Sequence, residues 1–509
     1  MSVTAPIRLT HEDGARVGAR GWAALAVLML PVLLVSVDNT VLSFALPEIS
    51  LALRPSGAEQ LWVIDVYSLV LAGLLVTMGV MGDRFGRRRM LFIGATGFAV
   101  VSALAAFAPT AGLLIAARAA LGFFGAMLMP STLSLLRSLF PNRDQRRLAI
   151  AIWASGFSAG SALGPVVGGF LLEHFAWGSV FLIAVPMLVP LLIGGYWLLP
   201  ESRDPNPGRI DPIGILLSMA AMIPVVYAIK SFAVDGPTLT AVMLVIIGVV
   251  MGWLFVRRQL RAETPMLDMS LFRRGGFSGA ILVNLLSVIA LVGFLYFVPQ
   301  QLQLVLGLSP MTAGLALVPG MAAMIVAGLG VVPISRRVPP HIVVPVALLL
   351  SVGGYLIVAF TAQWNSVAWL IVAFVVLGIG IGAAETISNE LILAHAPVEK
   401  AGAASAVSET AYELGAVLGT AVLGGIITAF YRGALIIPGG VPEASAAQAR
   451  ETLAGAYAAA QDLPTAQTDA LWQAAGHAFD SGIVTTSLIG ALLVASAIVI
   501  AATALRPTR

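Results

Sequence analysis

Gly21–Leu46 reads GWAALAVLMLPVLLVSVDNTVLSFAL, an apolar run with one carboxylate, Asp38, about sixteen residues in. At about 1.5 Å of rise per residue, a helix of this length crosses a hydrocarbon layer of about 30 Å. A charged side chain near the centre of such a span costs roughly 2.5 kcal/mol or more. It is tolerated where it faces a bundle interior or a water-filled path and helps to move protons or ions. Asp65, Glu385, Glu390, Glu409 and Glu413 stand in similar surroundings. These stretches imply an all-α membrane protein, and the acids point to transport of a cation or proton.

Composition agrees. Hydrophobic residues make up 59% of the chain and charged residues 10%, against about 25% charged in soluble domains. There are no cysteines, which excludes disulfides, thiolate metal sites and thiol chemistry. The basic excess gives no reason to invoke nucleic acid. Residues 1–21, with Glu12 and Asp13, read as a cytoplasmic tail, not a signal peptide.

Apolar runs of about 20 residues recur at 22–46, 61–81, 90–108, 111–136, 148–172, 178–199, 212–233, 238–256, 277–299, 310–332, 342–361, 366–393, 402–430 and 483–505. They are continuous, not alternating, so fourteen helices are expected and not a barrel. With the N-terminal tail inside, 23 of the 28 basic residues fall on inside segments. Four (Arg54, Lys230, Arg432 and Arg450) fall outside, and Arg118 lies within a span. That bias places both termini in the cytoplasm. Residues 22–199 form one six-span half and 277–509 another. The 200–276 segment inserts two spans, and 431–482 is a long extracellular loop expected to hold short amphipathic helices.

The loop after the second span reads Gly79-Val-Met-Gly-Asp83-Arg84-Phe-Gly86-Arg87-Arg88-Arg89. Its glycines allow a tight turn, and Asp83 beside arginines can form a charge-assisted clamp. The plainer reading is a basic loop that fixes orientation. The fourth span carries Arg118-Ala-Ala-Leu-Gly122-Phe-Phe-Gly125, and its arginine cannot discard its charge. The fifth carries Gly156-Phe-Ser-Ala-Gly160-Ser-Ala-Leu-Gly164-Pro165-Val-Val-Gly168-Gly169, small-residue spacing for close helix packing with a proline kink.

Together these stretches resemble the major facilitator superfamily. The loop is similar to G-x-x-x-D-R-x-G-R-[RK]; the fourth span to R-x-x-Q-G-x-x-G, with Leu121 for the usual Gln; the fifth to the G-x-x-x-G-P-x-x-G-G signature of proton-driven antiporters. The end of the first span, Val37-Asp38-Asn39-Thr40-Val41-Leu42-Ser43-Phe44-Ala45-Leu46-Pro47, resembles that of the fourteen-span drug:proton antiporters. Gln60–Leu69, Pro265–Phe272, Leu308–Gly314 and Glu409–Gly415 extend the likeness over nearly the whole chain. It is similar to actinobacterial and mycobacterial pumps for quaternary ammonium compounds, dyes and biguanides. Ala184 stands where Asn is usual. The resemblance implies the major facilitator fold, two six-helix halves plus two inserted helices, with a site between the halves at mid-bilayer.

Asp38 and Arg118 are expected at similar depth, as a proton-coupling pair or a static ion pair. Asp65 is read as an acid in interfacial water or an outer cation-binding carboxylate, with Trp62 one turn away. Glu409 and Glu413 lie four residues apart on one helix face, and two like charges that close in low dielectric do not both stay ionised. Proton coupling is assigned to Asp38, Arg118 and Glu409. Substrate binding is assigned to Asp65, Glu385 and Glu413, with Trp62, Trp153 and Tyr412 as cation–π surface. Conformational change is assigned to Gly79, Asp83, Arg84, Gly86, Arg87 and Arg88, and to Gly160, Gly164, Pro165, Gly168 and Gly169.

The expected activity is export of lipophilic cations (quaternary ammonium compounds, ethidium-like dyes, fluoroquinolones) by a monomer of the cytoplasmic membrane. Protons are the coupling ion, with no cofactor, no metal and no nucleic-acid partner. No G-x-x-x-x-G-K-[ST] motif offers an ATP site. Export of an endogenous lipid, peptide or metabolite is the alternative cargo. A membrane enzyme would need clustered catalytic groups at the membrane face, and a channel a repeated pore filter; the sequence has neither.

Overall fold

Each apolar run becomes a helix, and several begin at a polar cap. Ser56 and Glu59 form a reciprocal capping box at the start of the second helix. Thr110, Asp211, Thr238 and Ser309 cap later ones with their side chains. The computed structural model describes residues 16–203, 211–236, 238–262, 265, 269, 271–395 and 401–506. Expectations on residues 1–15, Arg209, Leu267, Asp268, Lys400 and Arg509 lie outside the described residues. Among the described residues, fourteen helices are long and apolar enough to cross a membrane.

The first half comprises α1 (Ala19–Leu53), α2 (Gly57–Phe85), α3 (Arg87–Ala105), α4 (Ala111–Leu139), α5 (Arg143–His174) and α6 (Ser179–Leu198). An inserted pair follows, α7 (Pro212–Asp235) and α8 (Leu239–Arg261). The second half begins with α9 (Gly275–Val305), α10 (Pro310–Ser335), α11 (Pro340–Thr361), α12 (Val367–His395) and α13 (Val407–Ala434). Two short helices, α14 (Glu443–Glu451) and α15 (Leu453–Gln461), precede the last span, α16 (Thr465–Ala504).

The last span starts well before the expected 483. Its first turns are amphipathic, and Leu471, Ala475, Ala478 and Phe479 are buried there. Trp472 stacks edge-on to Tyr457 of α15 at 5.1 Å between centroids, so tertiary packing extends the helix beyond the apolar run. The expected short helices are α14 and α15. They cover one end of the bundle, and Tyr431 donates from α13 to the Ala449 carbonyl at 2.8 Å. This is the capped end; the opposite, basic end carries Arg87–Arg89, Arg258, Arg336 and Arg337.

The halves meet at the capped end. Gln60 bonds Gln300 at 3.3 Å, Gln303 donates to the Phe44 carbonyl at 3.1 Å, and the Met311 amide donates to Glu173 at 3.2 Å. The cap joins this seam, because Glu451 accepts from the Gly57 amide at 3.1 Å. The α5 glycines make the approach possible. A Cβ on Gly169 would lie 2.8 Å from Met311 Cα and from the Pro310 carbonyl oxygen of α10. One on Gly314 would strike the Pro165 carbonyl. Gly160, Gly164 and Gly168 turn instead to α1, where added carbons would strike Ser36, Thr40 and Val41. At the basic end of α12, Asn389 and Glu390 are exposed.

The inserted pair lies at the periphery. Only 17% and 11% of the apolar windows of α7 and α8 are buried, so most of their surface suits lipid. The inner face of α7 nevertheless packs on α2 and α13, and α8 packs on α7.

Candidate functional site

Arg118 of α4 is 1% exposed, so its charge must be met inside the protein. Its Nη1 lies 2.6 Å from Asp38 Oδ2 of α1, and its Nε donates to the Val63 carbonyl of α2 at 3.3 Å. Its guanidinium carbon sits 4.5 Å from the centre of the Tyr67 ring. Two helices, α1 and α2, thus hold the guanidinium of a third by ion pair, hydrogen bond and cation–π contact. A buried ion pair is tolerable when its remaining donors are satisfied in this way.

Of the two readings of Asp65, burial removes one: it is 1% exposed, so it is not an acid in interfacial water. The helix starts at Gly57, which sets Asp65 more than two turns deep. Its Oδ2 lies 3.0 Å from Nζ of Lys230 on α7, and Lys230 is also 1% exposed. The same ammonium is 3.7 Å from the centre of the Trp62 ring, so Trp62 does offer cation–π surface, and a side chain of the protein occupies it. Thr420 faces the carboxylate from α13, where the helix widens into a π-turn over Gly419–Gly424.

Lys230 is the residue that sequence reading misplaced. The outside tally treated it as a solvent-side charge, yet it falls within the 212–233 run. The available signal was that location, because a lysine inside an apolar span needs a carboxylate partner.

The acids of the second half stand against the first. Glu413 of α13 is 2% exposed and faces the Asn39 side chain of α1 and the Ser68 side chain of α2. Arg118, Asp38, Glu409 and Glu413 are all near enough to act electrostatically on the Tyr67 hydroxyl. Tyr412 shares the surroundings of Glu385, Glu409 and Glu413. Among the described residues, no lysine or arginine lies within ion-pair distance of Glu385, Glu409 or Glu413. Trp153 is held inside the first half, donating to Thr132 at 3.2 Å and stacking edge-on to Phe157.

At the basic end, Asp83 pairs with Arg87 one turn on, at 2.8 Å. Arg87 and Arg88 reach the segment after α6, through Ser202 at 3.3 Å and the Leu199 carbonyl at 2.9 Å. The clamp is therefore closed within the first half, and Arg84 points to the exposed side. Gly86 turns the chain at φ 112°, and a Cβ there would lie 2.7 Å from the Glu201 carboxylate. Gly79 is less constrained, its nearest neighbour being Pro130 at 3.5 Å.

Two six-helix halves closed at one end, with buried acids along their interface, define a multi-pass membrane transporter and not an enzyme. Residues 28–420 match the family model of the Major Facilitator Superfamily, and the chain belongs to that superfamily. It is 56% identical over 491 residues to the multidrug efflux pump LfrA of Mycolicibacterium smegmatis, covering 96% of this chain and 97% of that protein. It is 36% identical to the methyl viologen resistance protein SmvA of Salmonella typhimurium, covering 90% and 93%. Its fold is similar to a solved bacterial homolog of the human lysosomal transporter Spinster, at TM-score 0.68, 18% identity and coverage of 95% and 98%.

Proposed function

We propose that the protein is a proton-coupled antiporter that exports lipophilic organic cations by alternating access. Quaternary ammonium compounds, ethidium-like dyes and fluoroquinolones are the cargo class. The observation that carries this reading is the position of Glu413, a buried acid of one half facing Asn39 and Ser68 of the other, beside Asp38–Arg118. When the halves rock, the surroundings of such an acid must change, and with them its preference for a proton or a cation. The efflux and resistance names of LfrA and SmvA support the same class, methyl viologen being an organic dication.

In this reading the basic end faces the cytoplasm, as do both termini, and the protein works as a monomer in the cytoplasmic membrane. The described state is then inward-open, sealed outside by the α5–α10 seam and the α14–α15 cap. Protons arriving from outside neutralise Asp38 and the acids around Tyr67. Their release inside leaves carboxylates that attract a cation from the cytoplasm or inner leaflet. No cofactor takes part, and nucleic acid is no partner.

The test is dye accumulation in inverted vesicles under an imposed pH gradient, without ATP. Accumulation should follow the gradient and collapse with an uncoupler. Accumulation that persists after the gradient is abolished would remove proton coupling.

A further inference from the structure

Lys230 is a buried cation on a helix that otherwise suits lipid. Its ammonium rests on a carboxylate and an indole, Asp65 at 3.0 Å and Trp62 at 3.7 Å to the ring centre. Trp62 and Asp65 are three residues apart on α2, so both project from one face. A carboxylate beside an aromatic face is the recognition chemistry of an organic ammonium ion. Here that chemistry is satisfied by the chain's own side chain.

Among the described residues two cations are buried, Arg118 and Lys230, and they are held differently. Arg118 is fixed by Asp38, the Val63 carbonyl and the Tyr67 ring. Lys230 is held by the Asp65 ion pair and the Trp62 face alone, with no backbone carbonyl on its ammonium among the described residues, although both members of the pair are buried. Its four-carbon stem is flexible and its charge compact, whereas a guanidinium is rigid and forked. Lys230 also sits six residues before Gly236, the end of α7 at the capped side, about 9 Å along the axis. A lysine that near a helix end can turn its ammonium toward the interface.

We propose that Lys230 is a tethered stand-in for cargo: its ammonium occupies an organic-cation subsite formed by Asp65, Trp62 and Thr420, and a cationic substrate enters by displacing it. The exchange keeps a positive charge beside Asp65 at every stage, so the carboxylate is never left buried and alone. It also assigns the inserted helix pair a task, to deliver a competing cation to a site in the six-plus-six core. The proposal rests on the cation-export reading above.

The experiment is equilibrium binding of tetraphenylphosphonium, and of a neutral aromatic ligand of similar size, to purified full-length protein in nanodiscs at fixed pH. Lys230→Met should bind the cation about tenfold more tightly, the size of one desolvated cation–π contact returned to the ligand, with no gain for the neutral ligand. Lys230→Arg, which keeps the charge and folds with the pair intact, should bind the cation several-fold more weakly. Adding Asp65→Asn to Lys230→Met should abolish the gain and also guards against misfolding, because neither charge is then left unpaired. Wild-type binding with no gain in Lys230→Met and no loss in Lys230→Arg overturns the stand-in and leaves the exporter reading intact. Absence of cation binding by the wild type overturns both.

Discussion

Gly169→Ala should shift the protein toward the state open at its capped end. The added methyl would sit 2.8 Å from Met311 Cα and the Pro310 carbonyl oxygen, where unstrained carbon contacts begin near about 3.5 Å. The seam must therefore retreat by roughly 0.7 Å. Overpacking by one methyl costs about 1–2 kcal/mol. Gly169 belongs to the first half and its neighbours to the second, so the strain exists only while the capped end is closed. The closed-to-open ratio should fall about five- to thirty-fold. Gly164→Ala is the control, because its methyl would strike Thr40 of the same half, straining both states and lowering thermal stability instead. The chain has no cysteine, so single reporters can be introduced directly: Gln60→Cys, 3% exposed at the closed seam, and Asn389→Cys, exposed at the basic end. In Gly169→Ala, thiol labelling should quicken at Gln60→Cys and slow at Asn389→Cys. Unchanged rates at both reporters in a folded variant would refute the idea that the α5 glycines set the conformational balance.

Asp38→Asn should leave the fold inserted yet disable gradient-driven export in the vesicle assay, because the neutral amide can neither pair with Arg118 as an ion nor carry a proton; export at the wild-type rate would reduce Asp38 to a structural role. Gly86→Ala should lower stability by about 1–3 kcal/mol, since a side chain at φ 112° is strained and meets Glu201, and a melting curve decides it. Asp211 caps α7, and the hydrogen bond from Arg258 holds its carboxyl below the ordinary value of 3.8. A depressed value stabilises the folded state above that range and is lost as pH falls through it. Asp211→Asn should therefore cost about 1 kcal/mol or less near neutrality, with the difference in melting temperature shrinking in acid.

The span count was legible because backbone groups in lipid must be satisfied within the helix, which demands continuous apolar runs. The same rule fails at the last helix, where Thr465–Gly482 is held by packing on α15, a tertiary effect that hydropathy does not carry. Depth was readable along a helix but not around it. Asp65 and Trp62 were seen as neighbours one turn apart, whereas the lysine that fills the space between them comes from a helix about 165 residues away and no local spacing links them. The loop motif showed which residues build the turn at Gly86, but not that Arg87 and Arg88 would reach the end of α6.

The arrangement of charge also changes how the work divides between the halves. Coupling is assigned to Asp38, Arg118 and Glu409 and cargo to Asp65, Glu385 and Glu413, so each role draws on both halves. Glu413 faces Asn39 and Ser68 of the first half, and it acts on the Tyr67 hydroxyl together with Asp38, Arg118 and Glu409. Among the described residues, each buried acid of the first half is met by a buried cation, Asp38 by Arg118 of the same half and Asp65 by Lys230 of the inserted pair. Glu385, Glu409 and Glu413 of the second half have no such partner among the described residues. In the antiport proposed above, a proton and a cationic cargo are alternative ways of neutralising these carboxylates, and competition between them at the half interface couples their opposite movements.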